Sequence, residues 1–294
     1  MSKELFRGVA TAIITPFKNG KVDYRLLKRL IEYQIGHGAD AIVVCGTTGE
    51  SPTLSALEKL RCVSAAVEAA DGKVPIIAGT TTNDTEFSAR LSRLAAREGA
   101  DAILAVAPYY NKPTGEGLCE HFFKIAEASG KPLILYNVPS RTSSDIPNSV
   151  YEKLFSEGVV CGIKEASGSV SRAAELIQMF GNKLPVYSGN DDLTLPLLSL
   201  GAKGVISVAS NLLPLELHLL CSLWFEGKYD EAKTLYYELL PFMRALFTES
   251  NPIPVKAAME LVGFCDAELR LPLSSAKPKT IQTLKETLSP FFVM

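Results

Sequence analysis

No run of basic residues interrupts the chain, and 30 Lys and Arg against 32 Asp and Glu leave a net charge of −2 over 294 residues. A nucleic acid or an anionic membrane surface therefore finds no electrostatic footprint here. No apolar stretch reaches the roughly 18–20 residues that a membrane-spanning helix needs. The opening segment "MSKELFRGVATAII" is too polar at its start, and too short in its apolar part, to read as a secretion signal. Neither G-x-G-x-x-G nor G-x-x-x-x-G-K-[ST] occurs, which removes the common nucleotide-binding fingerprints. The six cysteines (Cys45, Cys62, Cys119, Cys161, Cys221 and Cys265) are scattered and form no C-x-x-C pair. They read as reduced thiols of a cytoplasmic protein, not as disulfides or metal ligands. His37, His121 and His218 are equally dispersed and suggest no zinc site. His218, within "LLPLELHLLCSLW", reads as a helix-surface or satisfied core residue.

What the chain does have is a regular alternation. Apolar runs of strand length fall at 8–14, 40–45, 74–79, 101–108, 132–137, 159–164, 184–189 and 204–210. Amphipathic stretches separate them. In 23–38, Leu26, Leu27, Leu30, Ile31 and Ile35 recur at helical spacing, as do Phe87, Leu91, Leu94 and Ala95 in 85–99. "GHGAD" and "REGAD" precede the second and fourth runs and place glycine just past a helix end. Strict β–α alternation calls for parallel strands joined by crossover helices. Eight such units within about 225 residues predict a closed α/β barrel of the (β/α)8 kind over residues 1–224. An open doubly wound sheet is the rival. The segment 225–294 reads as helices alone ("KYDEAKTLYYELLPFMRALF", "PVKAAMELVGF", "PKTIQTLKETLSPFF") and is expected to form a C-terminal helical extension.

In such a barrel all strand C-termini open on one rim, and that rim carries the site. The sixth run, "VVCGIKEASG" (159–168), ends on a lysine, a residue seldom buried without a partner. Alternation puts Lys164 on the side of Gly162, which leaves room beneath it, and Tyr136 on the side of Ile134. An amine attacks a carbonyl only when neutral, and at a pKa near 10.4 only about 1 in 2,500 is neutral at pH 7. Desolvation in an apolar mouth raises that fraction, and a nearby tyrosine hydroxyl suits the proton transfers. The plainer alternative pairs Lys164 with Glu165 or Asp191. Lys256 in "NPIPVKAAME" is the rival nucleophile. "GTTGES" (46–51) reads either as a turn with Ser51 or Ser55 capping the next helix, or as a cradle of N–H and hydroxyl groups for a carboxylate. Tyr109 and Tyr110 follow the fourth run, and Arg141 offers an acid a bidentate clamp or caps a carbonyl. Asn83-Asp84-Thr85 matches a glycosylation sequon by chance.

Taken in order, "GTTGES", "PYYNKP", "YNVPSRT", "GIKEASG", "GVISV" and "NPIPVK" resemble the dihydrodipicolinate synthase family, among the pyruvate-dependent class I aldolases that also include N-acetylneuraminate lyase. The resemblance spans nearly the whole chain. It implies that Lys164 forms a Schiff base with pyruvate and that Tyr136 donates and accepts protons at the imine. Thr47 would link Tyr136 to Tyr110 in a relay, with Tyr110 crossing a subunit boundary. Thr48 would help hold the pyruvate carboxylate, Ile206 would offer a backbone contact, and Arg141 would receive the carboxylate of aspartate 4-semialdehyde. The implied product is 4-hydroxy-tetrahydrodipicolinate, on the diaminopimelate and lysine pathway. The implied assembly is a homo-oligomer, a dimer of dimers, with no metal or organic cofactor. The alternatives are another pyruvate aldolase acting on a sialic acid or 2-keto-3-deoxy sugar acid, and a non-catalytic barrel that binds a small acid.

Two departures from the family pattern bear on function. Ser143 stands where the family commonly has glycine after "SRT". Lysine-inhibited relatives hold lysine between subunits through Asn, Glu, Tyr and often His. Asn83 and Tyr109 match, but Phe87 and Ala56 replace the Glu and a His. Glu86 lies about 100° round the helix from that face. Weak or absent inhibition by L-lysine is expected.

Overall fold

A computed structural model of the chain describes residues 4–292. Eight strands form its centre: β1 (Gly8–Ala12), β2 (Ala41–Val44), β3 (Ile76–Gly79), β4 (Ala102–Val106), β5 (Leu133–Asn137), β6 (Val160–Glu165), β7 (Val186–Ser188) and β8 (Gly204–Ser207). Every pairing is parallel, neighbours in sequence are neighbours in space, and β8 closes onto β1. The closed barrel excludes the open sheet. Each strand is followed by a helix: α1 (Tyr24–Gly36), α2 (Ala56–Ala70), α3 (Thr85–Arg97), α4 (Gly115–Ser129), α5 (Asn148–Ser156), α6 (Val170–Phe180), α7 (Thr194–Leu200) and α8 (Pro214–Phe225). Three further helices follow, α9 (Tyr229–Ala245), α10 (Ile253–Leu261) and α11 (Pro278–Leu288). The strands stop up to three residues short of the apolar runs, which continue into the rim loops. A short hairpin, Phe17–Lys18 with Lys21–Val22, is the one strand pair outside the barrel among the described residues. No helix among these residues is long and apolar enough to cross a membrane.

Local chemistry fixes where the helices start. The side chains of Asp23, Ser55, Asp84, Thr114 and Ser169 each accept a backbone N–H in the first turn of the helix they precede. Ser55 and Glu58 complete a reciprocal capping box, so Ser55 and not Ser51 caps α2. The repeated "GAD" has a structural meaning. Gly38 and Gly99 take left-handed backbone after α1 and α3. The aspartates that follow, Asp40 and Asp101, accept the N–H groups of Val9 and Ile76, each at 2.8 Å. One carboxylate thus ties the approach to β2, and another the approach to β4, to the base of the strand before it. His218 on α8 lies 3.3 Å from Asp40 and 3.3 Å from Ser222, a satisfied surface-helix position.

Two apolar layers result. The outward strand faces meet the helices through residues such as Ile42, Ile103, Leu135 and Ile163. The inward faces fill the lumen with Ala10, Val43, Ile77, Leu104, Ile134, Tyr187 and Ile206. On β6 this alternation slips once. Leu133 pairs with Val160 but Ile134 pairs with Gly162, so one extra residue is accommodated at Cys161. Val160 and Ile163, three apart, both join the outer layer, whereas Cys161 joins the lumen. A bulge of this kind re-aims the side chains beyond it. Continued from Val160, plain alternation would turn Lys164 outward; after the bulge, Lys164 lies level with the inward Tyr136 and Tyr187.

The room that Gly162 leaves is occupied. A Cβ there would stand 3.0 Å from Cε2 of Tyr187, whose ring stacks on Phe6 with centroids 4.1 Å apart. The Tyr187 hydroxyl donates to the Phe6 carbonyl at 2.7 Å. Beneath the lysine is thus a packed aromatic floor, not empty space.

Candidate active site

Lys164 is 6% exposed, and among the described residues its amine has no ion pair. Its nitrogen sits 4.3 Å from the centre of the Tyr136 ring. Burial draws the amine down to about 8; the Asp191 carboxylate opposes this, and the Arg141 guanidinium adds to it. At that value roughly one amine in ten is neutral at pH 7. Glu165, one of the partners considered for it, faces the other way. Its carboxylate accepts from Asn137 Nδ2 at 3.1 Å and from the Ser167 N–H at 2.7 Å. Asp191 is buried, accepts the Val208 and Ala209 N–H groups at 3.0 Å, and reaches the lysine only through its field.

Lys256 has a different setting. Its side chain and that of Glu50 are both at 0% exposure and 2.5 Å apart. It also donates to the Glu268 carbonyl at 2.8 Å. The rival amine is committed to an ion pair behind the "GTTGES" loop.

A cavity of about 260 Å³ opens at the barrel mouth with Tyr136, Thr47 and Arg141 on its wall, and Lys164 meets it through the Tyr136 ring. Tyr136 is hydrogen-bonded to Thr47; burial pushes its hydroxyl up, while Thr47 and Arg141 draw it back. Thr48 turns away, and its hydroxyl accepts from Asn251 Nδ2 at 3.0 Å. The Asn251 carbonyl in turn accepts from Arg141 Nη2 at 3.2 Å. Asn251, in the loop before α10, therefore joins the β2 loop to the arginine loop. Spacing gave no sign of this role beyond its place at the head of "NPIPVK". Arg141 rides on a single helical turn, Pro139–Thr142, that ends on Ser143 at φ 53. This left-handed position explains why glycine suits it, and serine holds it at some steric cost.

Ile206 is fully buried in the lumen on β8, level with Ala10 of β1. Tyr110 departs most from the rest of the set. It is 89% exposed with φ 73, so within one chain it does not meet Thr47. Lys164, Tyr136, Thr47 and Arg141 are thus brought together, Thr48 lies one link away, and Tyr110 stands apart. A further close approach shapes the mouth: Cys45 has φ 56, and its carbonyl would lie 2.3 Å from a Cβ on Gly79. Phe87 is half-buried under Arg90, and Glu86 is engaged by Lys124.

A parallel barrel whose lumen presents a desolvated amine beside a tyrosine hydroxyl is equipped to attack carbonyl carbon. The chain belongs to the dihydrodipicolinate synthetase family, whose model matches residues 5–290. It is 48% identical over 286 residues to 4-hydroxy-tetrahydrodipicolinate synthase of Sulfurihydrogenibium sp. (strain YO3AOP1), covering 97% of this chain and 98% of that one. It is 46% identical over 288 residues to the same-named protein of Thermotoga neapolitana, covering 97% and 98%. Among solved structures, dihydrodipicolinate synthase of Aquifex aeolicus superposes with a TM-score of 0.95 at 44% identity, covering 97% and 98%. A monomeric dihydrodipicolinate synthase variant matches with a TM-score of 0.94 at 44% identity, covering 97% and 96%.

Proposed function

We propose that the chain condenses pyruvate with L-aspartate 4-semialdehyde to give 4-hydroxy-tetrahydrodipicolinate. The observation that carries this reading is the unpaired Lys164 amine, held dry against the Tyr136 ring and brought down to about 8. The neutral amine adds to the pyruvate ketone, and Tyr136 protonates the departing oxygen, which leaves as water. Loss of a methyl proton turns the imine into an enamine, whose carbon attacks the semialdehyde. The amino group of the second substrate then adds to the imine carbon, expels Lys164 and closes the ring. Arg141 holds that substrate's carboxylate, while Thr48 and the Ile206 backbone border the pyruvate position. Residues 1–224 supply the barrel chemistry, and 225–294 brace its loops through Asn251 and Lys256.

The exposed Tyr110 fits a role across a subunit boundary, in a homo-oligomer built as a dimer of dimers. It would complete there the relay through Thr47. Six free thiols, five of them buried, suit a cytoplasmic setting. The test is trapping with pyruvate and borohydride, followed by mass spectrometry, and a coupled assay of aspartate semialdehyde against sugar aldehydes. A label on Lys164 and preference for the semialdehyde are expected. A label elsewhere, or preference for a sugar, refutes the reading.

A further inference from the structure

Two of the six free thiols meet. Cys45 is the residue that leads from β2 into the "GTTGES" loop, Cys62 lies on the second turn of α2, and both are buried. The Cys45 thiol donates to the Lys59 carbonyl at 3.8 Å, which seats its sulfur on the turn of α2 that leads to Cys62. Helical side chains lean back over the turn before them, so the Cys62 sulfur lies over that same turn. The Cys62 thiol is hydrogen-bonded to Cys45. Because Cys45 gives its own hydrogen to the carbonyl, this contact uses the hydrogen of Cys62. That bond and burial push the Cys62 thiol up. The other cysteines have no such neighbour: burial, charged side chains and, for Cys161, its own backbone act on Cys119, Cys161, Cys221 and Cys265.

The two thiols are not equivalent. Cys45 lines the cavity at the barrel mouth, whereas Cys62 stands behind it in the layer between sheet and helices. A small solute in the cavity therefore reaches Cys45 first. Lys59 lines the same wall, and its amine, drawn down by burial, bears on the Cys45 thiol. An amine of this kind is a base for the thiol proton. The Cys45 backbone holds its sulfur in place: it sits at φ 56, with its carbonyl in the space that Gly79 leaves for lack of a side chain. An accessible thiol backed by a second one closes to a disulfide instead of climbing to irreversible oxidation states. The carbonyl chemistry at Lys164 uses neither cysteine.

We propose that Cys45 and Cys62 form a reversible modification site, closed to a disulfide by a hydroperoxide that enters the mouth cavity and reopened by a dithiol. With hydrogen peroxide, the Cys45 sulfur attacks one peroxide oxygen and the O–O bond breaks. The thiol proton passes through the Lys59 amine to the departing hydroxide, which leaves as water, and Cys45 becomes a sulfenic acid. The Cys62 sulfur then attacks the Cys45 sulfur, the S–OH bond breaks, and the Cys62 proton leaves with that hydroxide as a second water. Two thiols lose two electrons and two protons, and one peroxide becomes two waters. A dithiol reverses this by exchange and is itself oxidised to a disulfide. The closed bond ties the root of the Thr47 loop to α2.

Non-reducing peptide mapping of the full-length protein after hydrogen peroxide and an acid quench tests this, and it needs no assay of the proposed reaction. A cross-link between the Cys45 and Cys62 peptides is expected, with the chain lighter by two hydrogens, and dithiothreitol should restore the starting mass. Cys62→Ala should stop at the first step, so that dimedone labels Cys45. Cys221→Ala, which removes a buried thiol on α8, should leave the cross-link in place. The proposal is overturned if the treated protein keeps all its thiols, or if the cross-link joins another pair or two chains. It is equally overturned if dimedone labels a different cysteine of the Cys62→Ala protein in place of Cys45.

Discussion

Lys256→Met separates a structural lysine from a chemical one. In the folded chain both partners of the Glu50–Lys256 pair are wholly buried, 2.5 Å apart. Lys256 also caps the Glu268 carbonyl, and the Arg270 N–H reaches the other Glu50 oxygen at 3.1 Å. Removing one member of a buried pair leaves the other charge uncompensated, which costs about 3–5 kcal/mol. At about 2.1 cal/mol/K of unfolding entropy per residue, this corresponds to a fall in Tm of about 5–8 °C for a chain of this length. Removing the second charge as well should restore part of the loss, so Lys256→Met with Glu50→Gln should be more stable than Lys256→Met alone. Circular dichroism melts of the three proteins measure the stabilities, and borohydride trapping with pyruvate measures the chemistry. The folded Lys256→Met protein should still take the label on Lys164. Unlabelled but folded Lys256→Met protein would make Lys256 the nucleophile. An unchanged melting temperature would mean that the pair carries no such energy.

The other predictions concern the mouth. Because burial brings Lys164 down to about 8, the rate of pyruvate labelling should rise about tenfold per pH unit below pH 8 and level off above it; a profile still climbing steeply at pH 9.5 would contradict the dry amine. Tyr136→Phe should slow imine formation by roughly 10²–10⁴-fold, measured as the single-turnover labelling rate. Arg141→Ala should raise KM for aspartate semialdehyde while sparing the label, and parallel loss of labelling in both variants would merge the two roles. Phe87 stands under Arg90 where lysine-inhibited relatives have a carboxylate, and Glu86 is engaged by Lys124, so inhibition by L-lysine should be weak or absent. Half-maximal loss of activity at sub-millimolar lysine would contradict this.

The barrel was readable because parallel strands covered on both faces appear as unbroken apolar runs, and capping residues mark the starts of α1 to α4 and of α6. The ends of the runs misled: Ile13 and Ile14 are as buried as β1 itself but belong to the loop beyond it. Counting back two residues from Lys164 to Gly162 put the lysine on the lumen side, but counting from Val160 would have reversed it. The bulge at Cys161 has no local signature in an apolar stretch. Contacts such as Asn251 with Thr48, 203 positions apart, depend on how the tail folds back and leave no periodic trace.

The bulge on β6 makes that strand a junction between two reading frames. Below Cys161 the side chains are phased by the need to fill the space between sheet and helices; above it they are phased by where the reaction takes place. The two demands are incompatible by one residue, and a single inserted position reconciles them without altering either neighbour. The strand also sorts charge by frame, with its cation toward the lumen and Glu165 toward Asn137 and the helical shell. Shortening the chain by Cys161 would leave the apolar content of the strand nearly unchanged yet exchange these destinations. Such a protein should still form a barrel by circular dichroism, and pyruvate with borohydride should leave it unlabelled at Lys164.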